Sequence, residues 1–169
     1  ENEVVKGLEI GYGYRVSMFA LNVNIYNTIW ENKPQTGSYT LESGESGTYN
    51  ITGLGALHRG IEIDFAWKIN DAFKYEFLSS IGDWKWTEPG VITVYNENKQ
   101  PVFQDIFDAN GLQVGDSPQT QIGSSISYNY KINTSLGGYI KLKGIYFDRL
   151  YSDYSPGTDG NQNANGEKQ

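Results

Sequence analysis

The chain has 169 residues, enough for one domain or a portion of a larger one. Aromatics make up 14%, with 13 Tyr, 7 Phe and 4 Trp, which is too aromatic for a disordered chain and, with 20 Gly, favours β-structure. A formal charge of -7 argues against nucleic acid as a partner, the lack of Cys removes disulfides, thiolate metal sites and thiol nucleophiles, and no apolar run is long enough for a transmembrane helix.

The chain begins at Glu1 rather than Met and shows no signal peptide, so its start reads as cut or mature. A first strand is expected over about 4–14, with Leu8, Ile10, Tyr12 and Tyr14 on one face and Gly7, Glu9, Gly11 and Gly13 on the other. A second, about 19–30, places Phe19, Leu21, Val23 and Ile25 opposite Ala20, Asn22, Asn24 and Tyr26. The polar stretch from Glu31 to Leu57 reads as a long loop. The third strand, about 58–69, alternates most cleanly: Ile61, Ile63, Phe65, Trp67 and Ile69 oppose Gly60, Glu62, Asp64, Ala66 and Lys68. A tight turn at Asn70-Asp71-Ala72 leads to a fourth strand, about 73–86. A second long connection covers Thr87 to Pro118. The fifth strand, about 119–130, and the sixth, about 136–151, flank a turn at Ile132–Ser135. Residues 155–169 read as an extracellular loop or flexible tail, leaving 1–154 as the structured segment.

Short and long connections therefore alternate, so all tight turns fall at one end of an antiparallel meander. Strands of about 11–14 residues exceed the usual length and match tilted strands that cross a hydrocarbon layer. Aromatics near the strand ends suit an interfacial girdle. The charges Glu62, Asp64, Lys68, Glu76, Lys141 and Lys143 on the other face suit a wet lumen.

The run His58-Arg59-Gly60-Ile61-Glu62 resembles the "H-x-G-I-E" strand of TonB-dependent outer-membrane receptors of the Bacteroidota type. Glu9-Ile10-Gly11-Tyr12 resembles their "E-x-G-Y" strand, and Asn22-Val23-Asn24-Ile25-Tyr26 with Trp30 their "N-x-N-x-Y…W" strand. Gly82-Asp83-Trp84-Lys85-Trp86 resembles "G-D-W-x-W", followed by Val114-Gly115-Asp116-Ser117-Pro118-Gln119 as "V-G-D-x-x-Q". The resemblance implies an all-β C-terminal portion of a 22-stranded transmembrane β-barrel, lacking its plug and its last strands. It implies energy-coupled import of a scarce substrate (an iron chelate, cobalamin or glycan) across a Gram-negative outer membrane. The implied partners are outer-membrane lipid, the rest of the barrel and its plug, a periplasm-spanning TonB-type coupler reached through that plug, and a surface lipoprotein. The competing reading is a soluble, secreted β-sandwich that binds carbohydrate or acts as an adhesin.

Little in the chain suggests catalysis, a cofactor or a metal. His58 is the one histidine and stands in no nucleophile motif, so it reads as a polar residue at a strand mouth. Glu62 and Asp64 share a strand face about 7 Å apart, but nothing sets a sugar between them. Asp159-Gly160-Asn161-Gln162-Asn163 begins like a calcium loop and lacks its distal Glu. The candidate ligand-binding residues are Trp30, Trp84 and Trp86 at the long-connection ends of the second and fourth strands. A Trp there can stack on a sugar or another apolar ligand, and the plainer alternative is an interfacial girdle or loop packing.

Overall fold

The computed structural model describes residues 2–40, 44 and 46–152. Eight strands follow one another: β1 (Val4–Arg15), β2 (Phe19–Thr40), β3 (Ser46–Lys68), β4 (Phe73–Glu88), β5 (Gly90–Tyr95), β6 (Pro101–Phe107), β7 (Thr120–Lys131) and β8 (Gly137–Asp148). They form one sheet in which β1-β2-β3-β4-β7-β8 lie side by side, while β5 pairs with β3 and with β6. Every pairing is antiparallel.

Backbone bonds between Val16 and Phe19 close the first turn, and asparagine makes three others. Asn70 Oδ1 accepts bonds from the backbone N–H of Ala72 at 2.8 Å and Phe73 at 2.9 Å. Asn133 Oδ1 does the same for Ser135 and Leu136, both at 2.9 Å, and Asn96 Oδ1 accepts from Gln100 N at 2.9 Å. A short side chain that mimics a backbone carbonyl reverses the chain without a third residue's help.

Because side chains alternate, one register fixes two chemically different faces. Leu21 pairs with Phe65, Val23 with Ile63 and Ile25 with Ile61, giving an apolar face that β1 extends with Ile10 and Tyr12. Asn22 pairs with Asp64 and Asn24 with Glu62, giving a polar face. The set of residues expected on each face from the period-two pattern is the set the register delivers.

Two expected loops are instead structured. β2 and β3 run on through much of 31–57, and β5 and β6 lie within 87–118. The pairing of β2 with β3 shifts between Trp30 and Lys33 and again before Gln35, and Asn32 adopts a positive φ of 56°. Each bulge inserts a residue and flips the phase, which erases the alternation a reader follows. The core sits here, at the end away from the tight turns. Tyr49, Ile51, Leu54, Ala56, Trp86, Ile92, Val94, Phe107 and Ala109 are buried together, with Trp30, Leu112 and Val114 packed against them.

The sheet is open, and this overturns the expectation of a segment of a 22-stranded barrel. β1 and β8 end it and do not pair with each other. Eight strands are present where about six were expected, and the extra pair builds a local core rather than a longer wall. Alternation and long strands follow equally from an open antiparallel sheet with one polar and one apolar face. The charges assigned to a wet lumen lie on that polar face. With no barrel wall formed, the outer-membrane placement, the lipid contact, the plug, the TonB-type coupler and the surface lipoprotein lose their basis, and so does energy-coupled import. No helix among the described residues is long and apolar enough to cross a membrane. The second sheet of a sandwich is also missing among the described residues. The expected tail 155–169, with the calcium-like run 159–163, lies outside the described residues.

Candidate ligand-binding site

On the polar face Gly60 of β3 stands directly between Tyr26 of β2 and Gly82 of β4. The two glycines leave a shallow trough, and two aromatic rings lie across it. A Cβ on Gly60 would come within 2.5 Å of the Tyr26 hydroxyl, and one on Gly82 would come within 2.8 Å of Cε2 of the Trp84 indole. The rings meet over the trough, where Trp84 Nε1 donates to the Tyr26 hydroxyl at 2.9 Å. Burial raises the Tyr26 pKa above its ordinary 10.0, and the Glu62 charge adds to this although the bond from Trp84 works the other way. The phenol is therefore neutral at pH 7.

His58 follows one step along the same face, paired with Thr28 and Trp84. Its ring meets Trp84 edge-on at 5.5 Å and Trp30 at 6.1 Å between centroids. The Lys33 ammonium lies 4.1 Å over the Trp30 ring. Burial, then the charge of Lys33, pushes the His58 pKa below its ordinary 6.5, so the imidazole is neutral at pH 7. Its Nε2 and the Trp30 Nε1 are buried atoms without a hydrogen-bond partner among the described residues.

Trp84 is held from behind. Gln119, 1% exposed, accepts from the Trp84 backbone N–H at 3.1 Å and donates to its carbonyl at 2.9 Å, as a neighbouring strand would. Arg149 Nη2 donates to the carbonyls of Gly82 at 2.6 Å and Gln119 at 3.1 Å, tying β4 to the start of β7. The segment 114–119 becomes a wall through Val114 and Ser117, with Asp116 at a φ of 61° and its N–H bonded to the Tyr151 carbonyl at 2.9 Å.

Tyr26, His58, Trp84, Val114 and Ser117 line a cavity of about 560 Å³ whose other walls are Glu9, Thr28 and Glu62. Neither Glu9 nor Glu62 is in an ion pair among the described residues. Asp64 is absent from this lining. It accepts from Asn22 Nδ2 at 3.1 Å and lines a separate cavity of about 300 Å³ with Glu76, Ser125, Lys141 and Lys143. There Lys141 and then Lys74 hold the Glu76 carboxyl down to about 2. Glu62 and Asp64 thus open onto different spaces. No group of three His, Cys, Asp or Glu side chains suited to a metal occurs among the described residues.

Of the three tryptophans singled out by position, Trp84 forms the platform and Trp30 flanks it across His58. Trp86 is 3% exposed, inside the core. Tyr26, His58, Glu9 and Glu62 complete the cavity and were not singled out as ligand-binding residues in the sequence. Their signal was the cross-strand coincidence of Gly60 with Gly82, visible only once the register is known.

Compared with known families, with curated proteins and with solved structures, the chain matches none. The resemblance to TonB-dependent receptors is thereby corrected. Its motifs are short runs of alternating residues that any two-faced antiparallel sheet reproduces.

Proposed function

We propose that this chain is a carbohydrate-binding module that holds its ligand on the polar face without turning it over. The observation that carries the reading is the Tyr26–Trp84 pair laid over facing glycines, beside a cavity whose Glu9 and Glu62 carboxylates are in no ion pair among the described residues. Aromatic rings stack on the apolar C–H face of a pyranose, while Glu9 and Glu62 can bond its hydroxyls. Pockets of this kind combine an apolar surface with a few polar groups that fix orientation. The two carboxylates disfavour anionic glycans and favour neutral ones or those bearing a protonated amine.

The test is a screen of the purified chain against immobilised glycans, with free sugar as competitor. Retention on neutral or amine-bearing glycans, released by the free sugar, is expected. Retention on none of them, or retention confined to sulfated and carboxylated glycans, would overturn the proposal.

A further inference from the structure

We infer that copies of this chain associate head to tail, with β8 of one copy pairing antiparallel to β1 of the next. β1 and β8 are each 12 residues long and, among the described residues, each leaves one edge of the sheet unpaired. The sheet alternates direction through β1-β2-β3-β4-β7-β8, so its two end strands run oppositely. A second copy placed in the same orientation therefore continues the sheet as an antiparallel pair, with polar and apolar faces in line. Open edges usually carry a proline, a bulge, a short strand or a lysine to prevent such pairing, and of these β1 and β8 carry only lysines, of which Lys6 is bound to Glu31 and Lys141 to Glu76. Neither strand contains a proline, and neither pairing, with β2 or with β7, shows a register shift.

The side chains also fit. Full overlap of the two strands sets Val4 against Asp148 and Arg15 against Gly137. That register places Glu9 opposite Lys143 on the polar face, with Ile10 opposite Leu142 and Tyr12 opposite Ile140 on the apolar one. Ile10 is 66% and Leu142 72% exposed, so each edge presents a large aliphatic group without cover. Neither Glu9 nor Lys143 has an ion-pair partner among the described residues, whereas the neighbouring Lys141 is already held by Glu76 at 2.7 Å. A slip of one residue sets apolar against polar faces, and a slip of two leaves Glu9 facing either the occupied Lys141 or Ile145. The contact joins two different patches, so it builds a ring if the rotation closes and a filament if it does not. Glu9 also lines the ligand cavity, so association is followed without added sugar and does not rest on the carbohydrate proposal.

Sedimentation velocity of the whole chain over a range of concentrations tests it, with Glu9→Lys, Lys143→Glu, the double exchange and Tyr12→Pro. The unaltered chain is expected to associate, and each single charge reversal to weaken association by about tenfold. The double exchange should restore it, and the proline should leave monomers. Circular dichroism checks that each variant keeps its sheet, and the charge variants remain informative if the proline unfolds the chain. A monomer up to millimolar concentration, or association that neither the charge exchange nor the proline changes, would overturn the inference.

Discussion

Replacing Trp84 with Ala should weaken binding to the glycan best retained in the screen by about 2 kcal/mol, or about thirtyfold in Kd. The indole provides the flat surface, bonds the Tyr26 hydroxyl at 2.9 Å and packs edge-on against His58. Its removal takes away a ring and also frees Tyr26 to move over the Gly60 trough. Truncating Trp67 is the matched control. It is 45% exposed, lies on the apolar face opposite Phe19 and Tyr75, and touches nothing in the cavity. Titration calorimetry on both variants should show the loss for Trp84→Ala and a change within about twofold for Trp67→Ala. Equal losses for the two would remove the polar face as the site.

The second large effect concerns stability. Leu54 is fully buried in the cluster formed by β3, β5 and β6 with the segment around Ala109. Leu54→Ala removes buried methyl groups and leaves a cavity, which costs about 2–5 kcal/mol. That is a large share of the about 5–15 kcal/mol by which a domain is stable. The urea midpoint should fall accordingly. Ile10→Ala, at a position 66% exposed, should move it by less than the equivalent of about 0.5 kcal/mol. The cluster also backs the site: Trp86, two residues beyond Trp84, belongs to it, and Val114, which packs on it, donates its backbone N–H to the Trp84 carbonyl at 3.0 Å. Binding and stability should therefore weaken together in Leu54→Ala, whereas Trp84→Ala should affect mainly binding.

The third strand was legible because Ile61, Ile63 and Phe65 alternate with Glu62 and Asp64 without interruption. The same clarity does not reach residues 31–57, where bulges at Lys33 and Gln35 shift the phase and Gly53, with a φ of 85°, bends the chain. β5 could have been found, since Val91-Ile92-Thr93-Val94-Tyr95 is rich in β-branched residues. Pro89, Gly90 and the Asn96 turn on either side made it read as loop. Closure is a different matter. Whether β8 meets β1 depends on twist and curvature accumulated over the sheet, and no local pattern in either strand records it. The site was half legible. Trp84 and Trp30 stand out by type and by their place at strand ends, but Tyr26 and His58 join them only through the pairing of three strands.

The most direct test of a polar-face carbohydrate site is the behaviour of the four tryptophan indole N–H signals in a nitrogen–proton correlation spectrum during titration with the retained sugar. The signals of Trp84 and Trp30 should shift with ligand while that of Trp67, on the opposite face, stays in place. A shift confined to Trp67, or four signals unmoved at saturating sugar, would contradict the site.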